Sequence, residues 1–171
     1  MPLRLILMRH AKSSWKSPAT TDHERPLNKR GRRDAPRVAV TLESLGWRPD
    51  VVLTSDSQRT LETFRLMSEQ WGDDVHVEPL REFYLGGVDE IRAGVAMLAS
   101  GQTTAMALGH NPGWEEAVYW FTGGDETMTT ANAALLSHEG DDWGVAVQTS
   151  RQWQLHNVLR PRELADGDHD T

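Results

Sequence analysis

Near the start of the chain, residues 3–8 (Leu-Arg-Leu-Ile-Leu-Met) form an almost unbroken apolar run that stops abruptly at Arg9 and His10. A strand buried on both faces reads this way, and such strands belong to parallel sheets covered by helices. Residues 50–54 and 103–109 repeat the pattern, and 75–77 repeats it more briefly. Between these runs the apolar spacing turns helical: Leu61, Phe64, Met67 and Trp71 recur at three to four residues, as do Val88, Ile91, Val95 and Leu98. Alternating strands and helices predict an α/β fold, a single three-layer α/β/α domain with a largely parallel central sheet. After Thr129, residues 131–136, 145–148 and 153–159 read as further strands completing it. The predicted domain spans 1–164, and the acidic stretch 165–171 is expected to be a disordered tail.

Turn and cap chemistry gives the helix starts. Ser55 with Gln58 three residues later matches a capping box. Asn111-Pro112 sets an N-cap before a proline at the first helical position, with Glu115 and Glu116 in the first turn. Asn28 caps a helix running toward Leu45 and Gly46, in which Pro36 marks either a kink or the true beginning.

Composition narrows the function. The 171 residues contain no cysteine, so a disulfide framework, a thiolate metal site and a cysteine nucleophile are excluded, and a cytoplasmic location is favoured. The net charge of −7 argues against nucleic acid and membrane surfaces as partners. No targeting segment or membrane span is expected. The charge is uneven, however: the first 37 residues hold ten Lys or Arg against three Asp or Glu, a net of +7. Cations also stand at the predicted strand ends. Arg9 and His10 follow the first strand, Arg59 lies just beyond the second, and His110 follows the 103–109 strand directly. Ligands of open α/β sheets bind at the carboxyl ends of strands. Two arginines, two histidines and two helix N-termini converging there suit a tetrahedral dianion. No Walker loop is present, so the phosphate chemistry implied is of another kind.

Four blocks make this specific: Met8-Arg9-His10-Ala11-Lys12-Ser13-Ser14-Trp15, Asp22-His23-Glu24-Arg25-Pro26-Leu27-Asn28-Lys29-Arg30-Gly31, Leu53-Thr54-Ser55-Asp56-Ser57-Gln58-Arg59-Thr60-Leu61-Glu62-Thr63, and Gly109-His110-Asn111-Pro112-Gly113. In order and spacing they resemble the histidine phosphatase superfamily, and within it the SixA-type phosphohistidine phosphatases. The resemblance implies a phosphoglycerate mutase-like fold and a phosphatase that needs no metal and no cofactor. It implies His10 as nucleophile, Arg9 and Arg59 as holders of the phosphoryl oxygens, and His110, protonated, as a stabiliser of transition-state charge. Glu82, in a segment similar to the one that supplies a glutamate acid in ester-cleaving members, is the candidate general acid. Arg25, Lys16, Ser13 and Asn111 are candidates for substrate binding. Ala11 and Lys12 replace residues common in other branches, and Lys16 stands where mutase-like members put asparagine.

The expected substrate is a phosphorylated histidine in a protein. A small phosphorylated metabolite is the alternative, and a catalytically silent phosphate-binding module is a third reading. Trp15 and Trp114 are expected to wall the pocket, and the other tryptophans to pack in the core or at its rim. His23, His76, His138 and His156 read as structural or solvent-facing. Lys29, Arg30, Arg32 and Arg33 read as the solvated face of a helix.

Overall fold

A computed structural model describes residues 2–16, 18 and 21–164. Strand β1 (Leu3–Arg9) is followed by α1 (Lys29–Ser44), β2 (Val51–Ser55), α2 (Gln58–Trp71), β3 (His76–Leu80), α3 (Val88–Ala96), β4 (Thr104–Gly109), α4 (Gly113–Thr122), β5 (Ala133–His138), the short α5 (Trp143–Ala146) and β6 (Gln154–Leu159). The strands form one sheet in the order β3-β2-β4-β1-β5-β6, parallel except that β5 runs against both neighbours. The expected α/β architecture holds, and β1, β2 and β4 are the three apolar runs.

Each face of the sheet carries its own core. Ile6, Met8, Val52 and Met106 pack beneath Val38 and Leu42 of α1 and Met67 and Trp71 of α2. Leu5, Leu7, Leu53 and Ala107 pack beneath Ile91 of α3, Trp114 and Phe121 of α4, and Trp143 of α5. The alternation of side chains along each strand sends successive residues to opposite layers. The chain leaving β1 therefore turns to one face and the chain leaving β4 turns to the other. Because β1 and β4 are adjacent, a crevice opens between their ends, which is where ligands bind in sheets of this kind.

The local chemistry differs from expectation in several places. Asn28 caps α1, its Oδ1 accepting from the Gly31 N–H at 2.9 Å, and Pro36 lies inside the helix. Ser55, by contrast, does not cap α2. It completes β2, and the cap is Ser57, whose hydroxyl accepts from the Thr60 N–H. The capping-box spacing misleads because Ser55 is claimed by the sheet. Asn111 is no cap either: its side-chain amide turns to Glu115 and to the Met128 carbonyl. Residues 145–148 are not a strand, since Val145 and Ala146 belong to α5, capped by Asp142. Their apolar character serves packing, for Ala146 and Val147 join the core under α3. Trp114 is fully buried, with its indole N–H on the Ala107 carbonyl, and so belongs to the core rather than to a pocket wall. The tail 165–171 lies outside the described residues. Among the described residues no helix is long and apolar enough to cross a membrane.

Candidate active site

The crevice gathers the residues that end β1, β2 and β4. Arg9 pairs with Gly109 in the sheet register, and the His10 N–H continues the ladder onto the Gly109 carbonyl at 3.0 Å. His10 and His110 therefore emerge side by side, with ring centroids 5.3 Å apart. Arg59, buried in the first turn of α2, brings its Nε to 3.4 Å from His10 Nε2. The loop after His10 is tied to the same helix: the Thr63 hydroxyl accepts from the Ala11 N–H and donates to the Arg59 carbonyl.

Hydrogen bonding fixes the state of His10. Its Nδ1 lies 2.7 Å from the Ala11 carbonyl, an obligate acceptor, so the proton resides on Nδ1 and Nε2 carries the lone pair, which accepts a long hydrogen bond from the Arg59 Nε–H. Burial lowers the His10 pKa to about 3; the Ala11 carbonyl opposes that shift, and His110, Arg59 and Arg9 add to it. His110 is also lowered to about 3, by burial first and then by Arg59. In the free protein both rings are neutral, so the protonated His110 of the sequence reading requires an anion beside it. His110 Nε2 lies 2.9 Å from the Ser55 hydroxyl, while its Nδ1 is buried without a partner among the described residues.

The two arginines are held differently. Arg9 donates from one terminal nitrogen to the Met128 carbonyl at 3.1 Å, and its Nε is buried and unpartnered among the described residues. Asn111 donates to the same carbonyl at 2.7 Å, and Glu115 receives both the Asn111 amide and the Met128 N–H. Asn111 therefore steadies the loop that steadies Arg9. Arg59 donates to the Asp22 carbonyl at 2.7 Å and to its carboxylate at 3.0 Å.

Asp22 is the residue that sequence reasoning missed. Its carboxylate also accepts from the Tyr84 hydroxyl at 2.7 Å and from Arg25. Partial burial works against the charge, but these hydrogen bonds from Tyr84, Arg59 and Arg25 outweigh it, and the carboxyl is held well below the usual range. A signal existed: Asp22 is one of only three acidic residues in the strongly basic first 37. Tyr84 and His23 join it. The Tyr84 ring stands edge-on to both His110 and His23, and His23 reaches Asp56 at 2.8 Å.

The remaining candidates lie further out. Arg25 contacts the buried Ser13 hydroxyl and stacks on the exposed Trp15, 3.6 Å from its ring centroid. The Lys16 side chain is exposed and unpaired among the described residues. Glu82 is exposed, in the short 3-10 turn Arg81–Phe83, and makes no side-chain hydrogen bond or ion pair with any described residue. Among the described residues no cluster of three or more His, Asp or Glu is arranged to hold a metal ion.

Comparison with known proteins accords with this geometry. Residues 5–116 match the sequence model of the histidine phosphatase superfamily (branch 1). An uncharacterized chloroplastic protein of Arabidopsis thaliana is 38% identical over 169 residues, covering 92% of this chain and 78% of that protein. A structure assigned as the phosphohistidine phosphatase SixA of Nakamurella multipartitia superposes with a TM-score of 0.82 at 28% identity, covering 94% of this chain and 97% of the other. The protein histidine phosphatase SixA complexed with tungstate superposes with a TM-score of 0.80, over 94% and 98% of the two chains. At 20% identity that second likeness is one of fold.

Proposed function

Since the chain belongs to the histidine phosphatase superfamily, we propose that it is a phosphatase whose nucleophile is His10 and whose substrate is a phosphorylated histidine in a protein. The observation that carries this reading is the neutral, single-tautomer His10, with its Nε2 lone pair facing Arg59 and flanked by His110.

Nε2 attacks phosphorus and the bond from phosphorus to the substrate nitrogen breaks; that nitrogen keeps the electron pair, and the substrate ring, protonated beforehand from solvent on its other nitrogen, leaves as neutral imidazole. Water then attacks phosphorus, the bond to His10 breaks, and orthophosphate departs with His10 restored. Phosphoryl transfer spreads charge over the non-bridging oxygens, so fixed cations do most of the catalysis. Arg59 donates two N–H groups to Asp22 and its Nε–H to His10, and keeps its two remaining terminal N–H groups for the oxygens. Arg9 offers its unpartnered Nε and its free terminal donors. As the dianion arrives, its field raises the proton affinity of His110, whose orphaned Nδ1 is the atom available to it. Arg25, Lys16 and Ser13 form the outer rim.

The position of Glu82 favours phosphohistidine over an ester. An alkoxide needs a proton from a placed acid, whereas a protonated imidazole leaves readily. Glu82, solvent-exposed and unpaired among the described residues, is not held as a placed acid would be. We place the enzyme in the cytoplasm on its lack of cysteine. The test is turnover of a phosphohistidine peptide and of p-nitrophenyl phosphate, with and without EDTA. Wild type is expected to prefer the peptide, to ignore EDTA and to be indifferent to Glu82→Gln. Inhibition by EDTA, or a Glu82→Gln variant inactive on the peptide, would contradict the reading.

A further inference from the structure

Three cations that the mechanism leaves unused converge on one cavity. Lys12 lies in the loop after His10, Arg30 in the first turn of α1, and Arg162 in the 3-10 turn Pro161–Glu163. Together with Arg9 they line a volume of about 280 Å³ whose other walls are Thr129, Thr130, Asn132 and Pro161. Among the described residues no carboxylate lines it. Arg30 reaches Asp34 at 3.5 Å, but Lys12 and Arg162 make no side-chain ion pair or hydrogen bond with any described residue. Neighbouring Arg160, by contrast, is engaged by Glu126 and the Thr127 carbonyl.

Like charges around one volume raise each other's energy, and an anion in their midst lowers it. Arg30 stands at a helix N-terminus, where a cation is further disfavoured unless an anion is near. The volume is at the small end for a ligand pocket, suited to one phosphate or carboxylate group with a little of what bears it. Thr129 and Asn132 hydrogen-bond to each other at 3.1 Å and shape the wall, and the Thr130 hydroxyl adds a neutral donor. The wall is rigidly joined to the crevice: Ala131, held at a φ of 62°, donates its N–H to the carbonyls of both Arg9 and His10. A non-glycine residue in that region is strained and is kept there by its surroundings.

We propose that this cavity is a second oxyanion site, separated from the phosphoryl crevice by the Arg9 guanidinium, which binds a phosphate or carboxylate group. The group comes either from free orthophosphate or from an acidic side chain near the phosphoryl group of the substrate, and only the second source rests on the proposed phosphatase activity.

Calorimetric titration of the full chain with inorganic phosphate at low salt tests the site independently of turnover. Wild type is expected to take up two molar equivalents. Arg59→Gln is expected to keep the cavity equivalent, and Lys12→Ala with Arg162→Ala to keep only the crevice equivalent. Arg162→Ala alone is expected to weaken the cavity about ten- to a hundredfold, the worth of one charge-assisted hydrogen bond. Circular dichroism melts establish that each variant is folded. One equivalent in wild type, or two undiminished in the folded double variant, would overturn the proposal. Phosphohistidine peptides with aspartate or alanine beside the histidine then identify the source. A preference for aspartate that falls about tenfold in the double variant assigns the site to the substrate. Equal turnover of the two peptides, with two equivalents bound, assigns it to free phosphate.

Discussion

At the scale of single residues, the proposed chemistry rests on which nitrogen of His10 carries the lone pair. The Ala11 carbonyl fixes this, and burial keeps the ring neutral far below its ordinary range. His110 is neutral for the same first reason, which makes it responsive: in the free protein its ring is expected to remain neutral down to about pH 4, and added phosphate to move its titration upward. Ring-nitrogen NMR of His110 with and without phosphate checks this, and an unmoved titration would separate His110 from the bound anion. Asp22 acts through Arg59 and Tyr84, as a positioning residue. Asp22→Ala is expected to lower kcat about tenfold, the size of one lost charge-assisted hydrogen bond, with KM changed less. Steady-state kinetics against Asp22→Asn, which keeps the shape and loses the charge, measures how much of the effect is electrostatic.

Elements explain how these residues meet, and here the sequence was legible in part. The apolar runs of β1, β2 and β4 could be read because burial on both faces leaves no polar positions to blur them. The end residues Arg9, His10 and His110 followed from them. Caps were less legible, because a serine or asparagine can satisfy several partners and only the tertiary structure decides among them. Ser55 went to the sheet and to His110, and Asn111 to the Met128 loop. Asp22 was hidden because its partners Arg59 and Tyr84 are distant in sequence. Asn28 was readable, being a local cap, and Asn28→Ala is expected to cost about 1 kcal/mol in denaturant unfolding. Gly31, in the first turn of the same helix, sits against the backbone of Lys12, and a Cβ there would collide with the Lys12 carbonyl. Gly31→Ala is expected to cost about 1–3 kcal/mol and to depress turnover by displacing the loop after His10. Unchanged stability in urea would mean that this contact is looser than described.

For the molecule as a whole, the net charge of −7 conceals a division of labour. Of the cations in the first 37 residues, Arg9, Lys12 and Arg30 line the crevice or the adjacent cavity, whereas Arg4 lies at the other end of β1 against Trp47, and the acidic excess lies elsewhere in the chain. Two buried neutral histidines also tie global stability to pH. Each has a folded pKa of about 3 against 6.5 for the free side chain. Between those values the unfolded chain binds protons that the folded chain refuses, so stability falls as pH drops below about 6.5 and is unaffected by these groups above it. From pH 7 to 5 each histidine is expected to remove on the order of 2 kcal/mol. Urea unfolding of His10→Gln is expected to lose roughly half as much as wild type over that range. In the proposed mechanism, the transferred phosphoryl group passes through His10. Rapid quench of the enzyme with a radiolabelled phosphohistidine peptide tests it directly: acid-labile, base-stable label is expected on the His10 fragment within the first turnover and is expected to be absent from His10→Ala. Turnover without such label, or label persisting in the alanine variant, would contradict it.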